Sequence, residues 1–298
     1  MWDPALYRAF ATERARPFFD LVTRIGAEDP RQVVDLGCGT GELTAALTRR
    51  WPAAQVCGID SSAEMIEAAG QLLAAPVEGV AGLLPTARDD RHGDQAQPQP
   101  AGAARQPAQP GCDASAGRLS FALGDVRTWQ PELPPDVIVS NAVLQWVPDH
   151  ADLLTRWAGL LADGGWLAFQ VPGNFDQPAY RVLRELTGSA RWRSLLADID
   201  LNLQGADPAG YLDLLARSGC EVDAWETTYL HVLQGEDPIV RWYRSTGLRP
   251  VLRTLDQAQA EAFLSDYGAL LRETYPVASY GTVFPFRRVF VVAQRGRR

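Results

Sequence analysis

The segment Gln32–Leu36 (QVVDL) runs into Gly37-Cys38-Gly39-Thr40-Gly41, and residues 41–51 continue with helical spacing at Leu43, Ala46, Leu47 and Trp51. A strand that passes through a glycine cluster straight into a helix sends the chain back across one face of its own sheet. The strand that follows then lies parallel to the first, because a helical crossover cannot close an antiparallel hairpin. The pattern repeats. Residues 55–59 (QVCGI) form a second apolar run ending at Asp60, and 61–73 reads as a helix with Ser61 or Ser62 as its cap and Glu64 in its first turn. Leu119–Leu123, 136–140 (DVIVS) and 166–171 (WLAFQV) are further strands, with an amphipathic helix over 150–161 that stops at Asp163-Gly164-Gly165. Short apolar strands separated by helices predict a doubly wound, mostly parallel α/β sheet covered on both faces.

The pattern changes after residue 172. Residues 174–203 are mostly helical in character, 208–219 is another helix, and 221–232 (EVDAWETTYLHV) is a long strand of alternating character. Helices over 237–246 and 256–273 precede a closing strand over 284–294. These two late strands bring the expected sheet to seven and pair antiparallel, while the helical pieces in 174–219 and 237–280 cap the sheet.

One stretch departs from the rest. Residues 76–117 hold six prolines, six glycines and five glutamines but no Phe, Trp or Tyr, so they cannot bury enough apolar surface to order themselves. They are expected to be a disordered surface insertion. The predicted organisation is therefore an N-terminal helical arm or lid over 1–30, a ligand-binding core over 31–75 and 118–172, the insertion, and cap elements with the last two strands over 173–298.

Net charge limits the partners. The chain carries 28 basic and 36 acidic residues, a formal charge of −8, which gives no overall attraction to nucleic acid or to an anionic membrane. Every basic residue is arginine, since the sequence contains no lysine. Four cysteines without a CxxC pair and three histidines argue against a structural zinc site and for a reducing compartment. Residues 1–20 carry charges throughout and do not read as a secretory leader, and no apolar run is long enough to span a membrane. The expected setting is the cytoplasm.

Candidate ligand groups fall at the ends of successive strands, where open α/β sheets bind their ligands. The first is the glycine turn. Its G-x-G-x-G spacing lacks the third glycine of the dinucleotide fingerprint, and Glu42 at the helix start repels a pyrophosphate. The turn suits a ligand that bears an ammonium group and no phosphate, with Asp35 as a partner for that ammonium; a purely structural turn is the alternative. Asp60, at the end of the second strand, is placed to accept ribose hydroxyls or to cap the following helix. Asp125 in Gly124-Asp125-Val126 is placed to meet an adenine amino group, and Asn141-Ala142 closes the fourth strand, where the reactive end of a cofactor would lie. Acids and amides are common in loops, so it is the series that carries weight.

The run 33–41 (VVDLGCGTG), then 58–62 (GIDSS), then Gly124-Asp125-Val126 resembles the class I S-adenosylmethionine-dependent methyltransferases, a Rossmann-like fold. The likeness narrows outside that core. Trp2-Asp3-Pro4, Leu6-Tyr7, Phe10, Glu13-Arg14 and Arg16-Pro17, together with 141–150 (NAVLQWVPDH), 218–229 (SGCEVDAWETTY), 246–250 (TGLRP) and 286–290 (FRRVF), resemble the trans-aconitate 2-methyltransferase family. The resemblance fails over 76–117 and is loose over 176–205. It implies methyl transfer from the sulfonium to a carboxylate oxygen of trans-aconitate or a close polycarboxylate, giving a monomethyl ester. It also implies cofactor contacts from Asp35, Gly37, Cys38, Gly39, Thr40 and Gly41, from Asp60, Ser61 and Met65, from Asp125 and Val126, and from Asn141, Ala142 and Trp146.

A carboxylate nucleophile is already ionised at neutral pH, so no catalytic acid or base and no metal is assigned. His150 is read as the start of a helix. A polycarboxylate needs fixed cations, and the arginine fork binds carboxylate bidentately. Arg14, Arg249 and Arg288 are the candidates, with a solvated arginine or a surface ion pair as the alternative for each; Arg287 points away from Arg288 if that strand alternates. Among the aromatics Trp2, Tyr7, Phe10 and Trp146, ring faces attract a sulfonium, although most such residues serve as core. Trp146 is placed near the cofactor and Tyr7 near the substrate. The competing readings are a methyltransferase for another small acid or natural product, a nicotinamide-dependent oxidoreductase, and a non-catalytic cofactor-binding protein.

Overall fold

Gln32–Leu36 (β1) has parallel neighbours on both sides, and the elements that follow wind outward from it. The computed structural model describes residues 10–73, 117–199, 201, 207–244 and 246–297. Helix α1 (Ala11–Val22) precedes β1; α2 (Glu42–Arg50), β2 (Gln55–Asp60), α3 (Ala63–Gln71) and β3 (Leu119–Leu123) build one wing of the sheet. The other wing begins with β4 (Val137–Asn141), α4 (His150–Leu160) and β5 (Trp166–Pro172). Helices α5 (Pro178–Thr187), α6 (Arg193–Leu196) and α7 (Pro208–Arg217) lead to the long β6 (Cys220–Leu233). Helices α8 (Pro238–Arg244), α9 (Arg249–Thr254) and α10 (Gln257–Thr274) lead to β7 (Val277–Ala278) and β8 (Gly281–Arg295).

The strand order is β3-β2-β1-β4-β5-β8-β6, parallel from β3 to β5 and antiparallel at β8 and β6. The doubly wound sheet with a late antiparallel pair is the predicted architecture. An eighth strand, the two-residue β7, was not predicted and pairs with the start of β8. The helix expected over 256–273 is α10, which stops at Thr274; Pro276 has no amide hydrogen and disfavours helical backbone at Tyr275, and the chain turns into β7.

Alternation along the strands feeds two layers. Val34, Leu36, Ile138, Phe169 and Val291 face Leu154, Trp157 and Leu215 of α4 and α7. Val33, Val56, Val139 and Val292 face Phe18, Leu21 and Val22 of α1 and Ala46 and Leu47 of α2. Helix α1, within the expected arm over 1–30, packs as a layer against the sheet; the first nine residues of that arm lie outside the described residues. So does the expected insertion, apart from Gly117.

β8 is longer than its neighbour β5. Residues 288–294 pair with β5, and Pro172, the last residue of β5, stands opposite Arg288. Before that point β8 leaves the parallel sheet and enters a third cluster, where Phe284 and Phe286 pack with Tyr180, Trp242, Tyr243 and Tyr267 of the cap. Arg288 therefore marks the junction between sheet and cap. No helix among the described residues is long and apolar enough to cross a membrane.

Candidate active site at the strand ends

The glycine turn is built to leave room on one side only. A Cβ at Gly37 would lie 2.1 Å from Val143 Cγ2, and its φ is +83°. Gly39 also has positive φ, +57°, but a Cβ there meets nothing within 4 Å. The backbone at Gly39 is therefore open to a ligand while Gly37 is packed from behind. The amides of Gly37 and Cys38 donate to the Ile59 carbonyl at 2.7 and 3.0 Å. Gly41 is the N-cap residue of α2.

Two carboxylates lie at this turn. Asp60 Oδ2 accepts the Gly39 amide at 2.9 Å and Oδ1 accepts the Ser62 amide at 2.9 Å. A carboxylate offers about four acceptor positions, so both oxygens keep capacity for ligand hydroxyls. Asp35 is 2 % exposed. Its Oδ2 accepts from Thr44 Oγ1 at 2.6 Å, and its Oδ1 is buried with no hydrogen-bond partner. Burial raises its pKa to about 7; the Thr44 hydrogen bond opposes that rise and the nearby Asp60 charge adds to it. A buried carboxylate oxygen without a donor is costly, so Asp35 Oδ1 has acceptor capacity for a donor from outside the described residues. Burial first, and then the charges of Asp35 and Asp60, push the Cys38 thiol far up. The Thr40 hydroxyl donates to Glu42.

The remaining predicted cofactor residues are arranged less uniformly. Ser61 is exposed and Met65 half-buried in the first turn of α3, where Ser62 is the cap, receiving the Met65 amide at 3.3 Å. Asp125 is gripped by the Arg127 side chain, with Nε at 3.0 Å from each oxygen, and this holds its carboxyl below the usual range. Val126 packs its side chain in the core with Trp129. Trp146, in a single 3-10 turn over Leu144–Trp146, is 49 % exposed. His150 starts α4, its ring between the Val147 carbonyl at 3.1 Å and the Tyr211 hydroxyl at 2.8 Å. Tyr7 and Trp2 lie outside the described residues.

At the end of β4, Ala142 sits in the left-handed region with φ +57°. Such backbone is uncommon for a residue with a side chain and concentrates at functional sites. The Ala142 amide donates to the Gln170 carbonyl at 2.9 Å, and Gln170 Nε2 donates to Asn141 Oδ1 at 2.5 Å. Gln170 Oε1 in turn accepts from Arg288 Nη1 at 3.3 Å. Gln170 is 1 % exposed and Arg288 5 %. The predicted residues Asn141 and Arg288 are thus joined through a side chain that sequence reasoning missed. Its signal was a lone glutamine in the otherwise apolar strand WLAFQVP.

Arg14 and Arg288 share an aromatic floor. The Arg14 guanidinium lies 5.1 Å from the Trp242 ring centre, that of Arg288 lies 4.5 Å from Phe286, and the two rings are 5.3 Å apart. His231, another residue not singled out beforehand, stacks on Trp242 at 5.1 Å. Arg287 faces the other way, as alternation requires, donating to Glu226 at 2.9 Å and to the Gly173 carbonyl at 2.9 Å. Arg249 begins α9, half-buried in the cap; burial, and then the charge of Arg253, lower its pKa.

The chain matches a family model described as a methyltransferase domain over residues 10–224. It is 47 % identical over 300 residues to a trans-aconitate 2-methyltransferase of Streptomyces avermitilis, covering 99 % of this chain and 97 % of that one. A second relative of the same description, from Mycobacterium sp. (strain KMS), is 45 % identical over 299 residues, covering 99 % of this chain and 100 % of that one. Among solved structures, the YcgJ protein from Bacillus subtilis aligns with a TM-score of 0.53 at 13 % identity, covering 94 % of this chain and 98 % of that one, a likeness of fold alone.

Proposed function

The chain belongs to the methyltransferase domain family and, within it, to the trans-aconitate 2-methyltransferases, and on that premise we propose how its residues divide the reaction. The reaction is S-adenosylmethionine-dependent methylation of a carboxylate oxygen of trans-aconitate or a close polycarboxylate, giving a monomethyl ester. The observation that carries the division is the separation of charge along the strand ends. An acidic cradle, Asp35 and Asp60, lies at the ends of β1 and β2, and a buried arginine, Arg288, lies opposite the last residue of β5.

In this reading residues 31–75 and 118–172 hold the cofactor. Asp35 Oδ1 takes the ammonium, Asp60 takes the ribose hydroxyls and the open backbone at Gly39 lets the nucleoside approach. S-adenosylmethionine, when bound, supplies a sulfonium methyl that an oxygen lone pair displaces in line. The acid occupies the other end, held by Arg288 and Arg14 at the sheet–cap junction, with Arg249 reaching it from the cap. Its carboxylate needs no base, because it is ionised well below neutral pH. The protein's task is alignment, which can lower a barrier by roughly 7–11 kcal/mol.

Incubation with methyl-labelled S-adenosylmethionine and trans-aconitate, citrate or a simple dicarboxylate, with mass spectrometry of the products, tests the reading. A monomethyl ester of trans-aconitate is expected. Absence of label from every acid, on folded protein that binds the cofactor, would end it.

A further inference from the structure

Resting on that reading, the hydrogen bonds at the sheet–cap junction define more than proximity, because they have a direction. A guanidinium has only donors. Arg288 Nη1 meets the Gln170 side chain at 3.3 Å, so the atom of Gln170 that faces it must be the carbonyl oxygen. The other end of the Gln170 amide, Nε2, is then fixed as a donor, and it lies 2.5 Å from Asn141. The Asn141 atom that receives it must be Oδ1. An amide that accepts with its oxygen presents its nitrogen on the remaining side. Arg288 thus removes the two-fold ambiguity of both amides.

We propose that Arg288, Gln170 and Asn141 form a one-way relay whose last member offers the Asn141 Nδ2 hydrogens to the carboxylate that attacks the methyl group, with Gln170 as the positioning residue. Asn141 Nδ2 makes no hydrogen bond to any described residue and stands beside the left-handed Ala142, at the strand end assigned to the reacting groups. A pair of N–H donors suits a carboxylate and is mismatched to a sulfonium or an ammonium. The relay therefore assigns Asn141 to the acid and away from the cofactor contact first expected of it. The Gln170 backbone supports the same arrangement, since its carbonyl holds the Ala142 amide at 2.9 Å. Burial of Gln170, at 1 % exposure, leaves its amide no competing water-facing orientation.

Gln170→Glu tests direction apart from shape. A carboxylate at 170 keeps the volume and still accepts from Arg288, but it donates nothing, so Asn141 must turn its Nδ2 inward and its oxygen toward the acid. Steady-state kinetics with trans-aconitate, together with calorimetry for the acid (S-adenosylhomocysteine present) and for S-adenosylmethionine, are measured on wild type, Gln170→Glu and Asn141→Asp. Both variants are expected to weaken the acid, in KM and in calorimetric Kd, by about tenfold or more, the loss of one hydrogen bond to a charged group. Cofactor Kd should stay within about twofold. A structural role alone would shift stability or both ligands together. Unchanged acid binding in folded Gln170→Glu and Asn141→Asp overturns the relay. If the wild type binds trans-aconitate but does not methylate it, the functional reading falls and the calorimetric comparison still decides the relay. If the wild type binds no acid at all, the relay is refuted with it.

Discussion

Thr44 donates to Asp35 Oδ2 at 2.6 Å from the first turn of α2, leaving Oδ1 of the same carboxylate buried beneath the glycine turn without a donor. This pair links the turn to pH. Burial raises the Asp35 pKa from 3.8 to about 7. In the free protein the sign is that of a raised acid: stability is complete at low pH and is lost as pH rises from 3.8 towards 7. An ammonium at Oδ1 reverses this by favouring the carboxylate. Cofactor affinity is therefore expected to rise with pH by up to about tenfold per unit below 7 and to level off above it. Calorimetry across pH 5.5–8.5 checks this, and Asp35→Asn should bind weakly with a flat profile. A flat wild-type profile would place the ammonium elsewhere.

Arg288 carries a stronger prediction than Arg249. Arg288 is 5 % exposed, lies over Phe286 and donates to Gln170, so its removal leaves the Gln170 oxygen buried without that donor and opens the relay. Arg288→Met should raise the KM for the acid by roughly ten- to hundredfold, the range for losing a buried charged hydrogen bond. Arg249 is only half-buried, and Arg249→Met should have an effect of about tenfold or less, since water screens its charge. Neither should change the cofactor Kd. Equal and unchanged kinetics in both variants would place the acid outside this junction.

What the sequence disclosed, and what it hid, follows from distance along the chain. The glycine turn, Asp35 and Asp60 belong to one βαβ unit, and their local spacing was enough to place them on neighbouring strand ends. Period-two alternation was also enough to send Arg287 and Arg288 to opposite faces. Gln170 was different. Its importance depends on Arg288, 118 positions later, and on an antiparallel register that sets Pro172 against that arginine. No local pattern encodes such a register. Asp125 shows another limit, because its strand-end position was legible but its capture by Arg127 depends on a side-chain conformation. The two-residue β7 is too short for any periodicity to reveal it.

The glycine at 37 is expected to be structural before it is catalytic. Its φ of +83° disfavours any side chain, and a Cβ would sit 2.1 Å from Val143 Cγ2. The left-handed backbone alone costs about 1–2 kcal/mol, and displacement of Val143 adds to that. Gly37→Ala should lower the urea midpoint measurably and weaken cofactor binding as a consequence. Gly39→Ala has no such clash, because nothing lies within 4 Å of its Cβ. Its stability loss should be limited to the backbone contribution, while cofactor affinity falls at least as far as in Gly37→Ala. If Gly39→Ala binds the cofactor like wild type, the open side of the turn is not the ligand side.

His231 gives the cap its own pH response. Its ring is 7 % exposed, stacks on Trp242 at 5.1 Å and leaves Nε2 buried without a hydrogen-bond partner. Burial first, then the charges of Arg288 and Arg16, lower its pKa from 6.5 to about 4. Here the sign is that of a depressed base. Above pH 6.5 the histidine is neutral in both folded and unfolded chains and subtracts nothing. As pH falls from 6.5 towards 4, the unfolded chain takes up a proton that the folded chain refuses, and stability declines across that window. His231→Phe keeps an aromatic ring in the stack and removes the unpartnered nitrogen. It should match or exceed wild-type stability at pH 7 and hold more of it at pH 5, as read from urea midpoints at the two values. An identical decline in wild type and His231→Phe would assign the acid sensitivity to other groups.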